Sequence, residues 1–275
     1  MKKTTLILAD IHCECERADK IIKYVGADEI ISLGDVFDSF TDNPERVKET
    51  AEWYVDFVDN PNHIMLWGNH SQHYGFPYRT FQCSGYEQWK YFLINDIVPR
   101  SVWEKVKWYH FLDDRWFLCH GGLHKFNLPD EITKFRNDRK KFITEISGYL
   151  DHEIRKGFNA GAEGVKSWIF NAGSQRGGNQ RVGGITWCDF EREFYPIKGL
   201  NQIVGHTPQW LGCPKWCVLN KYGKISYHPS HLFEPLTECL DNPDLSFNID
   251  LDVRGNMHWG VWDGKKLTIG SYKDL

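Results

Sequence analysis

No apolar run in this chain is long enough to cross a bilayer, no charge of one sign dominates, and no repeat, low-complexity tract or clear linker interrupts its 275 residues. The first absence argues against a membrane-spanning helix, which needs about 20 apolar residues. The second follows from 33 basic against 37 acidic residues, a formal charge of −4, which gives no basis for broad electrostatic binding to nucleic acid or an acidic membrane surface. A disulfide framework is missing too, despite eight cysteines. Cys13 and Cys15 follow His12 closely, Cys119 immediately precedes His120, and Cys188 stands in another segment, a scatter expected of reduced thiols in a cytoplasmic protein. Met1-Lys2-Lys3 followed by Thr4–Ala9 imitates a secretion signal, but the run is short and Asp10 cuts it off, so it reads as a first strand. Ordinary apolar content of 41% is enough for a sizeable core, and the length suits one large domain or two modest ones.

What is present is a repeated grammar of strand, polar loop and helix. Thr4–Ala9, Glu29–Leu33 and His63–Trp67 read as short buried strands. Arg17–Tyr24 reads as a helix, and Asn43-Pro44 starts another, with Val47, Ala51, Tyr54, Val55 and Val58 at helical spacing. Further on, Trp108–Leu112 and Arg115–Cys119 form an expected hairpin around Asp113-Asp114, and residues 129–156 read as helical. Gly157 to Gly184 reads as loops, Gln202–Gly205 as a strand, and Phe247–Asp250, Trp259–Trp262 and Leu267–Ser271 as terminal strands, the last two turning at Asp263-Gly264. One domain over residues 1–275 fits best, with insertions at about 125–185 and 208–246.

The chemistry sits where these strands end. Five fragments occur in order: Asp10-Ile11-His12, Gly34-Asp35-Val36-Phe37-Asp38, Gly68-Asn69-His70, Cys119-His120-Gly121-Gly122 and Gly205-His206-Thr207. Each fragment alone reads as well as a turn, since Gly, Asp and Asn favour turns. As an ordered set they supply carboxylate, amide and imidazole donors enough for two divalent cations, with His70 left over to handle protons. Oxygen donors mixed with imidazole suit Mn²⁺, Fe or Zn²⁺. Two such ions roughly 3.5–4 Å apart recur in displacement at phosphorus.

These five blocks resemble the calcineurin-like metallophosphoesterase pattern of Asp-x-His, Gly-Asp-x-x-Asp, Gly-Asn-His, a lone His and Gly-His. Gly205-His206-Thr207-Pro208, Ile185-Thr186-Trp187-Cys188-Asp189 and Asn248-Ile249-Asp250 are similar to the phosphoprotein phosphatase branch. The resemblance implies an α/β fold of two packed mixed sheets flanked by helices, a four-layer αββα sandwich. It implies Asp10, His12 and Asp35 at a first ion, with Asp35 bridging, and Asn69, His120 and His206 at the second. Pro208 cannot coordinate, so the first ion has one protein ligand fewer than in most of the family. The implied reaction is hydrolysis of a phosphomonoester, on a phosphoprotein or another phosphate ester, by in-line attack of a hydroxide shared by the two ions, Mn²⁺ foremost. His70 protonates the leaving oxygen and Asp38 holds its imidazole.

The chain departs from the branch at Ser39, where phosphoprotein phosphatases carry Arg, and at Ser71, where they carry an acid. Arg176 and Arg181 are the candidate replacements for the phosphate-clamping guanidinium. Two other readings stay open: a nucleotide-directed hydrolase acting on dinucleoside polyphosphates, cyclic diesters or nucleic-acid ends, and a metal-binding scaffold without turnover. Cys213, Cys217, His228 and His231 lack a strong zinc spacing and read as unpaired thiols with solvent-facing histidines. His73 reads as a rim residue, and the twelve tryptophans mainly as core, with some free to stack on a base.

Overall fold

The computed structural model describes residues 3–39, 41–159, 167–208, 215–220, 222–229, 243–244, 246–252, 254 and 258–271. The first sheet has the order β11-β10-β1-β2-β3: β1 (Thr5–Leu8), β2 (Glu29–Ser32) and β3 (His63–Met65) run parallel, and the hairpin of β10 (His258–Trp262) and β11 (Leu267–Ser271) adds antiparallel to β1. The second has the order β4-β5-β6-β9-β7-β8. In it β5 (Trp116–Leu118), β6 (Asn201–Val204) and β9 (Ser246–Asp250) are parallel, while β4 (His110–Leu112), β7 (Lys215–Leu219) and β8 (Ile225–Pro229) pair antiparallel.

Strand side chains alternate between faces, and this sorts the core into layers. Ile7, Ala9, Ile31 and Leu33 of the first sheet meet Trp116, Leu118, Ile203 and Ile249 of the second between the sheets. Leu6, Leu8 and Ile30 face outward onto α1 (Cys15–Val25) and α2 (Pro44–Asp59). Phe117, Cys119 and Val204 face outward onto Phe142, Ile146 and Leu150 of the helix Arg139–Phe158. The arrangement is helix, sheet, sheet, helix, as expected. Both faces of the parallel strands are covered, which is why they read as apolar runs rather than alternating ones.

Local signals explain most element ends. Asn43 caps α2 by accepting from the Arg46 amide at 2.9 Å, with Pro44 at the first position. Gly26 ends α1 in the left-handed region. Asp113 and Asp114, at φ 50° and 53°, turn the β4–β5 hairpin as a primed turn requires. The run expected to be helical over 129–156 is broken: Asp130–Thr133 and a 3₁₀ turn precede Arg139–Phe158, because Asp138 caps a new helix through the Lys141 amide at 3.1 Å. The stretch 208–246, read as an insertion, contributes the β7–β8 hairpin to the second sheet. Cys217 there is buried on β7 and His228 lies on β8, whereas Cys213 and His231 lie outside the described residues. Gly68-Asn69-His70, expected as a loop, opens a helix instead, α3 (Asn69–Gly75).

Leu118 lies wholly buried between the sheets, so Leu118→Ala should destabilise the chain by about 2–5 kcal/mol, seen as a lower midpoint of denaturant unfolding with an unchanged slope.

Candidate metal centre

Five parallel strands deliver the candidate ligands. Asp10 follows the end of β1 at Leu8, Asp35 follows β2 at Ser32, Asn69 follows β3 at Met65, His120 follows β5 at Leu118, and His206 follows β6 at Val204. In α/β sheets the loops beyond the carboxyl ends of strands leave a crevice. Here both sheets open onto it, and Asp10, His12, Asp35, Asn69, His120 and His206 are all buried.

The backbone is bent hard to achieve this. Of eight described non-glycine residues with positive φ, six belong to these loops: Asp10, His12, Cys13, Asp35, Asp38 and His206. Such conformations cost about 1–3 kcal/mol each and persist only where surrounding contacts enforce them. The contacts are visible. Asp10 Oδ2 accepts the His206 amide at 2.8 Å, and Asp35 Oδ1 accepts the His70 amide at 2.8 Å. Each carboxylate thus ties together loops far apart in sequence. Gly68 and Gly205 are required for the approach, since a Cβ on either would collide with Asp35 Oδ1 or Asp10 Oδ2.

Two donor trios result. Asp10, His12 and Asp35 bring ligand atoms within 4.8 Å of one another, and so do Asp35, His120 and His206. Asp35 belongs to both. The histidine tautomers are set by carbonyls: His12 Nδ1 donates to Phe37 O (2.9 Å) and Asp38 O (2.8 Å), and His120 Nδ1 to Leu33 O (3.0 Å). Both therefore turn Nε2 toward the carboxylates, His120 Nε2 lying 2.9 Å from Asp35 Oδ2, whose charge raises the pKa of that imidazole against the opposing effect of burial. Such carbonyl-fixed imidazoles are what metal ligation uses.

The Asn69 amide lies at the middle of the second trio. Its Oδ1 lies 3.1 Å from His120 Nε2. An N–H placed at that position would have four acceptors, Asp35 Oδ2 at 3.2 Å, Thr186 O at 3.2 Å, His206 Nδ1 at 2.8 Å and His120 Nε2 at 3.1 Å. One carbonyl, one carboxylate and two imidazoles thus converge on an amide oxygen. Buried acceptors facing each other are costly; turning the amide so that its N–H₂ faces them satisfies all four, and with its oxygen inward Asn69, His120, His206 and Asp35 form a donor set that suits a divalent cation. The donor set fits the ions expected.

Electrostatics agree. Burial pushes Asp10 up to about 7, the nearby His120 only partly offsetting it. Burial also drives His12 down to about 4 and His206 well below the usual range, so both present neutral imidazole. Asp35 is buried as deeply, but the imidazolium charges of His120 and His70 hold it well below the ordinary carboxylate range.

Beside the trios lies the expected proton-handling pair. His70 Nδ1 is 2.9 Å from Asp38 Oδ2, and its ring meets His12 edge-on with centroids 5.1 Å apart. Burial disfavours the imidazolium, but the charge of Asp35 and the bond to Asp38 raise its pKa well above the ordinary value; bound dications oppose that rise. His73, expected at the rim, is buried one helical turn beyond His70, with Nε2 2.9 Å from Asp38 Oδ2. Starting α3 at Asn69 puts it there.

The two candidate arginines separate. Arg176 reaches the centre, its Nη2 3.5 Å from the His206 carbonyl and its Nε 2.9 Å from Asp189 Oδ2. Arg181 does not: its guanidinium sits 4.8 Å from the Phe126 ring centroid, lining a cavity of about 640 Å³ with His124, Glu193 and Tyr195 and none of the ligands. Sequence reading missed Arg254, whose amide donates to Asp10 O at 3.1 Å and whose Nη2 donates to Ser39 O at 2.6 Å. It brings a guanidinium beside Ser39, where one was expected to be lost. It also missed Tyr74 and Lys90, which bond Asp38, Tyr74 from the far end of α3 and Lys90 from a helix carrying no motif.

A family model of calcineurin-like phosphoesterases matches residues 3–210. The chain belongs to the calcineurin-like phosphoesterase family. No curated protein matches it. Among solved structures, a metallophosphoesterase from Sphaerobacter thermophilus is 14% identical, with a TM-score of 0.50 over 98% of this chain and 88% of that one. A cold-active protein-tyrosine phosphatase from a Shewanella species is 15% identical (TM-score 0.47; 100% and 80% covered). A serine/threonine phosphatase from Saccharomyces cerevisiae is 10% identical (TM-score 0.44; 98% and 79%). The phosphoesterase family is divalent-metal dependent and acts on phosphate esters, which makes this chain a metal-dependent phosphoester hydrolase. Among the described residues no helix is long and apolar enough to cross a membrane.

Because protons compete for Asp10 in the metal-free centre, Mn²⁺ affinity should fall by about tenfold per pH unit below about 7 for each proton displaced, measured by calorimetric titration between pH 5.5 and 8. Asp35→Ala should leave less than one ion per chain by elemental analysis, since it removes a donor common to both trios; retention of two ions would contradict its bridging position.

Proposed function

We propose that this phosphoesterase hydrolyses phosphomonoesters, with two divalent ions, Mn²⁺ foremost, held by Asp10, His12, Asp35, Asn69, His120 and His206. The observation that carries this reading is Asp35 shared between two donor trios with the buried His70–Asp38 pair alongside. When bound, such ions supply Lewis acidity toward phosphate oxygens and activate water at neutral pH.

The chain's own residues do the rest. Asp35, kept ionised by its imidazole neighbours, offers full negative charge to both positions at once. Asp38 accepts the Nδ1 proton of His70 and so leaves Nε2 to carry the transferable proton. Delivered to the leaving oxygen as its bond to phosphorus breaks, that proton neutralises the developing alkoxide. Arg176, at the His206 carbonyl, and Arg254, at the Ser39 carbonyl, place positive charge beside two of the ligand-bearing loops, suited to a phosphate dianion. This arrangement supports a phosphatase of the phosphoprotein kind in which arginines outside the usual motif flank the substrate.

One observation favours a nucleotide substrate instead. Trp187 is half-buried with its ring 5.6 Å from His206, where an aromatic face could receive a base. Assays with Mn²⁺ on a phosphopeptide, an aryl phosphomonoester, a dinucleoside polyphosphate and a cyclic diester separate the readings. Turnover of the monoesters alone supports the first, and preference for the nucleotides the second. No turnover on any of them would reject both and leave a metal-binding scaffold.

His70→Ala should lower turnover by roughly 10²–10⁴ with the ion content of the chain unchanged. Loss of both ions in that variant would show that His70 serves the metals and not the leaving group.

A further inference from the structure

Lys90 is 2% exposed, a rare state for an ammonium unless it is paired. It projects from α4 (Gln88–Ile97), which carries none of the five sequence fragments. Its three N–H groups find Asp42 Oδ2 at 2.7 Å, Gly85 O at 3.0 Å and Asp38 Oδ1 at 3.2 Å, with Glu87 Oε1 at 3.4 Å on the solvent side. Asp38 Oδ1 also accepts the Tyr74 hydroxyl at 2.6 Å, while Oδ2 faces His70 Nδ1 and His73 Nε2, both at 2.9 Å. This buried carboxylate thus accepts three side-chain hydrogen bonds, from His70, Tyr74 and Lys90, with His73 close by. The backbone closes over it as well, since a Cβ on Gly85 would come within 2.9 Å of the Asp38 side chain.

Asp42 extends the clamp. It accepts the Ser39 amide at 3.1 Å and the Ser39 hydroxyl, so the ammonium holds both ends of the loop that presents Asp38. Without Lys90, two carboxylates would lie buried close together and repel. Asp38 would lose both its angular restraint and the charge that balances Asp42.

We propose that Lys90 is a positioning residue for proton transfer: by clamping Asp38 Oδ1 against Asp42 and the Gly85 carbonyl, it fixes the plane in which Asp38 Oδ2 holds His70. The inference rests on the reading of His70 as proton donor. It assigns a role to a lysine in which no ion and no substrate takes part.

The test uses the full-length, Mn²⁺-loaded protein and two phosphomonoesters, p-nitrophenyl phosphate with a weakly basic leaving group and a simple alkyl phosphate with a strongly basic one. A proton donor matters far more for the second. Lys90→Met should lower kcat on the alkyl ester by about 10–100-fold, part of what general acid help supplies, and on the aryl ester by less than about threefold. KM and ion content should stay unchanged, and Lys90→Arg should recover much of the alkyl activity. If Lys90→Met does not fold, Lys90→Met combined with Asp42→Asn removes the unpaired buried charge and should show the same split between esters. Equal losses on both esters, or no loss, while His70→Asn discriminates between them, would overturn the role of Lys90 alone. If His70→Asn does not discriminate either, both the proton-donor reading and the inference built on it fall.

Discussion

The Asp35 carboxylate is the constraint on which the rest of the centre depends. One oxygen accepts the His70 amide and the other lies against His120 Nε2, so a single side chain from the first sheet fixes the loop after β3 and meets the histidine from the second. Both trios need it. The sandwich exists to make this meeting rigid: layers of Ile, Leu and Trp between the sheets hold two sets of strand ends at one edge, and interiors packed at crystal density do not let such ends drift. Six loop residues then keep left-handed backbone because the carboxylate–amide ties across loops leave them no alternative.

How much of this could be read from the chain depends on where the information is local. Asp10, Asp35, His120 and His206 announce themselves because a strand end followed by Gly, Asp or His is a short-range pattern, and short apolar runs give away the strands. The order of strands in the sheets is not local: β9 pairs with both β6 and β7, across a stretch that reads only as an insertion. The helical start at Asn69 was hidden for a different reason. Gly68 signals a turn, yet here it is the extended residue before a helix, and that one change carries His73 inward to Asp38.

Arg176 and Arg181 show the limit more sharply. Both sit in the same Gly-rich stretch, with nothing in residue type to tell them apart, and only one lies against a ligand loop. Arg254 lies 215 residues from its Ser39 partner, so no spacing rule connects them. Lys90 is legible afterwards as an oddity, a lysine among apolar residues of an amphipathic helix, but helix periodicity alone cannot say whether such a residue snorkels to solvent or pairs inside.

Two polar networks of opposite purpose therefore share this small volume. One is a convergence of Asp10, Asp35, Asn69 and imidazole nitrogens, in which two donor trios share Asp35. The other is balanced within the protein, with Tyr74, Lys90, His70 and His73 all directed at Asp38. A metal must be able to enter and leave the first, whereas the second must keep its protons in place while that happens. His70 joins the two, its backbone amide bonding Asp35 and its ring bonding Asp38, and the Asp38 carbonyl in turn accepts His12 Nδ1. The carboxylate shared by the two trios and the carboxylate that holds the His70 ring are thus coupled through a single residue.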